Sequence, residues 1–258
     1  MQSEMEKSIL ESLEMEEELF PYIPELLQDL WALGSMPEYI IQQLRPYISG
    51  NSKILDLGCG KGAVAVLLAK AYGCHVTGVD ASSTFLEVAH EKAKEYQVKE
   101  HCTFIEADIR NYVILRKQFD VVIYSSLGAV LGNFKEIVSA LRNMVRDDGL
   151  MIIDDGYLKN AQALERDGYH HYRSHKETLN LLTSFGDRLI EEKITEQETA
   201  EINEDYMEKI RKRANTIVRK NPETEQSINA YILRQEEECQ VLDEKITGAT
   251  WLLQKQDK

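Results

Sequence analysis

The chain has no excess of positive charge, no cysteines at paired spacing, no long apolar run and no low-complexity tract or internal repeat. Each absence removes a class of function. Lys and Arg number 30 against 44 Asp and Glu, a formal charge of -14, so the long-range field opposes a phosphate-rich partner such as nucleic acid. The one tight basic cluster in the C-terminal half, Arg211-Lys212-Arg213, is flanked by Glu204, Asp205 and Glu208, which reads as a solvated helix face laced with i,i+4 pairs. Cys59, Cys74, Cys102 and Cys239 lack the spacing of a metal site or a disulfide framework, so free thiols and a reducing, cytoplasmic setting are expected. No apolar stretch reaches the roughly 18 residues of a membrane span, and the first residues, Met1-Gln2-Ser3-Glu4-Met5-Glu6, are acidic where an export signal is basic. A soluble protein without a membrane partner follows as an expectation.

What is present is a chain of 258 residues, 43% hydrophobic, long enough for one well-buried domain with an appendage. Its most informative stretch is Ile54-Leu55-Asp56-Leu57-Gly58-Cys59-Gly60-Lys61-Gly62, followed by the apolar run that begins at Ala63. A strand, a glycine turn and a helix start bring bare backbone N–H groups close to a ligand, because glycine has no Cβ to block the approach. Gly58, Gly60 and Ala63 also satisfy a dinucleotide pattern, with Asp80 about twenty residues on where a ribose-binding acid belongs. Asp56 argues against a dinucleotide. A carboxylate two positions before the first glycine repels a pyrophosphate and attracts an ammonium or sulfonium. The ligand expected is cationic near the loop, free of phosphate, and carries a ribose; S-adenosylmethionine has these properties. A dinucleotide oxidoreductase and a non-catalytic binding or docking module are the competing readings.

Four motifs, Ile54–Gly62, Val76-Thr77-Gly78-Val79-Asp80, Phe104-Ile105-Glu106-Ala107-Asp108-Ile109 and Phe119-Asp120-Val121-Val122-Ile123-Tyr124, stand in an order and spacing that resemble the class I S-adenosylmethionine-dependent methyltransferases. With Asp148-Gly149-Leu150-Met151-Ile152-Ile153 the resemblance covers about residues 50–155. It implies S-adenosyl-L-methionine as cofactor, with Asp56, Gly58, Cys59, Gly60 and Gly62 around it. Asp80, with Ala81 beside it, would accept both ribose hydroxyls through its two oxygens. Asp108 would accept from the adenine amine while Ile109 packs on the ring, the alternative being a helix N-cap. Tyr124 and Ser125 would line the methionine portion, and Trp31 would fold over the site as a lid or lie in the core.

Strands are expected at Lys53–Leu57, His75–Val79, Thr103–Glu106, Asp120–Tyr124, Leu150–Asp154, Asp187–Thr195 and Ile246–Gln254. Helices fall between them, among them Ser83–Gln97 and Asn133–Arg146. The fold class is α/β, a doubly wound Rossmann-like seven-stranded sheet with an N-terminal helical cap and a helical insertion near the C-terminus. The cap spans 1–48, the cofactor-binding domain 49–197 and 245–258, and a helical hairpin 198–244. In that hairpin Ile202, Tyr206, Ile210, Ala214 and Ile217 share one face of Glu201–Lys220, and Ile228, Tyr231, Ile232, Cys239 and Leu242 share one face of Thr224–Leu242. These helices also offer a surface for a homodimer.

The reaction implied is methyl transfer from a sulfonium to a nucleophile, helped by orientation, water exclusion and a base where the nucleophile arrives protonated. Candidates for the catalytic groups are Asp154, Asp155, Tyr157, His170 and His171, the two histidines lying in the aromatic segment Asp167–Tyr172. No acid follows the fourth strand in Tyr124-Ser125-Ser126, so no metal is expected. Ser125-Ser126-Leu127-Gly128 also lacks the Pro-Pro-aromatic motif of nucleic-acid base methyltransferases. A small-molecule methyl acceptor remains, enclosed by the cap and the inserted hairpin.

Overall fold

The computed structural model describes residues 6–7, 9–10, 13–160, 164–166 and 168–256, with the side chains of 196–201 excepted. Five parallel strands form the larger part of one sheet: β1 (Lys53–Leu57), β2 (His75–Asp80), β3 (Cys102–Glu106), β4 (Phe119–Ser125) and β5 (Val145–Leu158). β6 (Arg188–Ile194) and β7 (Ile246–Gln254) complete it in the order β3-β2-β1-β4-β5-β7-β6. β7 runs antiparallel to both of its neighbours. The chain steps outward from β1 to β3 and then returns to β4 on the other side of β1. This reversal opens a crevice at the carboxyl ends of β1 and β4, where open α/β sheets bind ligands.

Helices cover both faces, which is why the central strands are apolar on both sides. In β1, Leu55 and Leu57 join Val122, Tyr124, Phe134, Ile137, Met151 and Trp251 in one core. Ile54 joins Val64, Leu68, Val121, Ile152 and Leu252 in the other. The covering helices are α2 (Pro37–Leu44), α3 (Ala63–Tyr72) and α4 (Ser83–Glu95), then α5 (Ile109–Tyr112), α6 (Phe134–Met144) and α7 (His175–Leu182). The short α1 (Ile23–Leu26) precedes them, after a 3-10 turn at Glu17–Tyr22. Among the described residues no helix is long and apolar enough to cross a membrane.

A third cluster stands apart from the sheet. Leu19, Ile23, Leu26, Leu27 and Leu30 pack with Phe85 and with Ile210, Ala214, Ile217, Ile228 and Tyr231. The last five belong to α8 (Glu196–Lys220) and α9 (Glu225–Lys245), the helices inserted between β6 and β7. β6 ends at the carboxyl edge of the sheet, and β7 begins opposite Leu158, the last residue of β5. The hairpin therefore joins the N-terminal helices as a roof over the crevice.

Three details differ from expectation. β5 extends to Leu158, because β7 pairs with it in unbroken register from Leu150↔Gln254 to Leu158↔Ile246. Helix α6 stops at Met144, two residues short of Arg146. α7 was not anticipated, although its capping box, Ser174 with Glu177, is legible in sequence. The basic cluster is also less local than i,i+4 pairing suggests. Lys209 does pair with Asp205 along α8, but Arg211 reaches Glu236 on α9 and Arg213 reaches Asp29 of the N-terminal segment. These partners are brought close only when the roof assembles.

Candidate functional site

The glycine loop sits at the carboxyl end of β1, and Gly58, Gly60 and Gly62 all have left-handed backbone, with φ of 62°, 50° and 75°. Glycine adopts that conformation without a Cβ penalty. Space matters equally at two of them. A Cβ on Gly58 would overlap the methyl groups of Leu127, and one on Gly60 would lie 2.9 Å from Leu33 Cδ1. The loop is thus covered from two sides, by the segment after β4 and by the roof. Cys59 turns its thiol away from this face toward Gly78 of β2, and burial holds that thiol far above its ordinary pKa. Its proposed contact with a ligand is limited to its backbone.

Asp56 is 2% exposed. One side of its carboxylate takes the backbone N–H of Ala65 in the first turn of α3, while Oδ2 has no hydrogen-bond partner among the described residues. Burial, with a smaller push from Asp80, raises its pKa to about 7. A buried carboxylate with one orphaned oxygen is costly unless a donor or cation completes it. Asp80, at the end of β2, accepts from Gly60 N and Ser82 N, each at 2.8 Å. Ala81 also contributes a backbone N–H to this carboxylate. Burial raises the pKa of Asp80 against these three donors. The two acids thus stand on adjacent strands beneath and beside one loop, a pair of acceptors that fits a cationic amino acid joined to a ribose.

Asp108 caps α5, accepting from Arg110 N, and its carboxylate is also bonded by the Arg110 guanidinium, which lowers its pKa. The capping alternative is therefore realised, and a ligand amine at Asp108 has to share it with Arg110. Ile109 is buried at the edge of the core. Tyr124 points its ring into the core, and its hydroxyl donates to Gly128 O at 2.9 Å and accepts from Leu131 N. It shapes the loop after β4 instead of lining the methionine portion with its side chain, because alternation along β4 turns residue 124 toward α6. Trp31 is half-buried, packs against Tyr96 with tilted rings whose centroids are 5.2 Å apart, and donates its indole N–H to Lys61 O at 2.9 Å. It lies on the glycine loop itself. Behind it a cavity of about 460 Å³ opens between residues 29–38, Ala63 and Leu67 of α3, and Tyr206 and Lys209 of α8.

The catalytic candidates divide at the end of β5. Asp154 faces α2 and is fully engaged by Ser125 Oγ at 2.6 Å, Thr250 Oγ1 at 3.2 Å and the backbone N–H of Met36. Burial lifts its pKa to about 6. It anchors the roof segment to the sheet. Asp155, one residue on, faces the opposite side, with His171 Nε2 at 3.4 Å from its Oδ2 and the Tyr172 hydroxyl bonded to it. His171 is buried, its Nδ1 lies 3.1 Å from Gly168 O, and its Cε1 would be 3.9 Å from a Cβ on Gly128. Because Nδ1 faces a carbonyl it carries a hydrogen, which leaves Nε2 with its lone pair near Asp155 Oδ2, neither atom having a hydrogen-bond partner among the described residues. His170 is exposed and outside this cluster. Tyr157 packs against His175 of α7 with tilted rings whose centroids are 4.5 Å apart. Asp167 lies outside the described residues. Among the described residues no group of three or more His, Cys, Asp or Glu is arranged to hold a metal.

Lys61 is a site residue that the loop motif by itself does not single out. It is the only charged residue in the glycine loop, 3% exposed, and its ammonium donates to Leu30 O at 2.8 Å and to Leu27 O. A lysine between two glycines was the available signal.

Sheet order, glycine loop and strand-end acids define a Rossmann-like nucleoside-binding domain. Residues 54–149 match the family described as a methyltransferase domain, so this part of the chain carries that domain. It is similar to the uncharacterized protein YjhP of Escherichia coli, 32% identical over 115 residues, 45% of this chain and 46% of that protein. It is also similar to the ubiquinone biosynthesis O-methyltransferase of Rickettsia akari, 33% identical over 131 residues, 49% of this chain and 51% of the other. The chain thus spans about half the length of the curated relatives it matches. A solved methyltransferase of Geobacter sulfurreducens, in complex with S-adenosyl-L-homocysteine, superposes with a TM-score of 0.77 at 20% identity, covering 93% of this chain and 98% of that one. That likeness shows the same fold.

Proposed function

We propose that this protein is an S-adenosylmethionine-dependent methyltransferase acting on a small-molecule acceptor. The observation that carries the reading is the Asp56 carboxylate, buried beneath three glycines with one oxygen left for a cation, beside Asp80 at the next strand end. Asp56 and the loop N–H groups would hold the amino-acid end, and Asp80 the ribose hydroxyls. When bound, the donor supplies a methyl group on a positively charged sulfur that leaves as a neutral thioether. The chain contributes orientation and exclusion of water, since Leu33 and Leu127 close over the loop. For an acceptor that arrives protonated, His171 with Asp155 is the base we favour over the exposed His170 and the fully engaged Asp154. A roofed crevice and an acidic chain favour a small acceptor over nucleic acid, in line with a relative named for ubiquinone biosynthesis.

The test begins with calorimetric titration of S-adenosylmethionine and of NAD. Binding of the first and not the second is expected; the reverse result overturns the reading. A panel of small hydroxyl, amine and thiol compounds with labelled methyl donor then follows transfer in the parent and in Asp80→Ala. Transfer that persists at the parent rate in the variant removes the ribose assignment.

A further inference from the structure

Lys61 is an expensive residue to bury. Its ammonium is taken out of water, which pulls its pKa down to about 8, and among the described residues no carboxylate forms an ion pair with it. Asp29 is near enough to favour the charge, but its own carboxylate is paired with Arg213. The partners of the ammonium are the carbonyls of Leu27 and Leu30, and the Phe85 ring lies 5.5 Å away. All three belong to the roof cluster. The backbone of the same residue is held from the same side, because Lys61 O accepts the Trp31 indole N–H. One residue earlier, Gly60 is covered by Leu33 of the roof, while its N–H is bonded to Asp80. Two consecutive residues of the glycine loop are therefore joined on one side to the acid proposed to hold the ribose and on the other to residues 27–33.

We propose that Lys61 is a positioning residue that couples occupation of the donor site to closure of the roof. The proposal rests on the donor reading above for its ligand, but the clasp itself is independent of it. A ligand that engages Asp80 and the loop N–H groups settles the backbone of residues 60–61. That backbone carries Leu33, Trp31 and, through the lysine side chain, the carbonyl ends of Leu27 and Leu30. Ordering of loop and roof becomes one event, and the coupling is reciprocal: a roof released from the loop weakens the donor, as a missing donor loosens the roof.

The experiment compares the parent with Lys61→Met, which keeps the apolar stem and removes the ammonium, and with Trp31→Phe, which cuts the backbone half of the clasp and leaves Lys61 in place. Hydrogen exchange is followed across residues 27–33 and across β4, without ligand and with S-adenosylhomocysteine, whose affinity is measured by calorimetry. In the free proteins, both variants are expected to exchange faster at residues 27–33 with β4 unchanged; equal protection in parent and variants overturns the clasp whether or not any ligand binds. With S-adenosylhomocysteine, the parent is expected to gain protection at 27–33. Lys61→Met is expected to lose most of that gain and to bind about tenfold more weakly. A variant that binds as tightly as the parent, or gains the same protection, overturns the coupling. Failure of the parent itself to bind S-adenosylhomocysteine counts against the donor reading and leaves the free-protein result to judge the clasp. If Lys61→Met does not fold, Trp31→Phe carries the same comparison.

Discussion

The sheet edge and the roof are built on different principles. At the edge, Asp56, the glycines and Asp80 lie within 25 residues of each other in sequence, and β1 and β2 hold them in parallel register. The roof assembles Leu19–Leu30 with Ile210–Tyr231, segments about 200 residues apart, around a small core of its own. Its rim carries cross-segment ion pairs, Arg213 with Asp29, Lys220 with Glu25 and Arg234 with Glu16. The edge is thus a local device on a rigid scaffold. The roof is a distant assembly with fewer strand hydrogen bonds, and elements that open and close are drawn from such less stable units.

The contrast is broken most forcefully from inside the roof. Ile228→Ala removes a fully buried side chain from the third cluster and should cost about 2–5 kcal/mol. In hydrogen exchange the loss is expected at residues 13–31 and 206–232 while β1 and β4 keep their protection. Uniform loss would mean that roof and sheet unfold as one unit.

Next in size, Asp80→Ala should lower affinity for S-adenosylmethionine by about 100-fold or more, because each hydrogen bond to a charged group contributes about 1.5–3 kcal/mol. Calorimetry reads it. Affinity within a few-fold of the parent would take the donor away from the β2 end.

A smaller effect separates Asp56 from the rest of the edge. Its carboxyl titrates near 7 in the fold and at the ordinary 3.8 when unfolded, so between these values the folded state binds more protons and stability falls as pH rises. Above about 7 the loss is complete. Ligand-free Asp56→Asn, which has no charge to bury, is expected to melt higher than the parent at pH 8 by roughly a few degrees, with a smaller difference at pH 4. A parent whose melting temperature is flat from pH 4 to 8 would contradict a carboxylate buried without its cation.

Smallest is Lys209→Ala, which removes an exposed i,i+4 pair with Asp205. Such pairs contribute about 0.3–0.5 kcal/mol, so urea midpoints should scarcely move. A large loss would show that this stretch of α8 bears on the cavity wall more than its exposure suggests.

Strand alternation, the glycine turn and the acids at the ends of β2 and β3 were legible in sequence because their physics is local. A short apolar run bounded by turn residues, a φ that only glycine adopts readily, and a carboxylate next to them declare themselves within a few residues. The faces of α8 and α9 were legible for the same reason, since Ile210, Ala214, Ile217, Ile228 and Tyr231 recur at helical spacing. Local pattern did not say which acids remain available. Asp154 and Asp155 are neighbours of one type, yet one is bonded by Ser125, Thr250 and Met36 while the other is bonded by the Tyr172 hydroxyl and lies 3.4 Å from His171. Alternation on a strand sends them to opposite faces, and what waits on each face comes from elsewhere in the chain. Tyr124 turned inward for a reason of the same kind, whereas Asp108 was claimed locally, by Arg110 two residues on. The sequence by itself determined the sheet, the loop and the charge beneath it. Tertiary structure alone decided that a lysine inside that loop is held by the roof, because a contact between residues 61 and 27–30 depends on packing, and packing has no period to read.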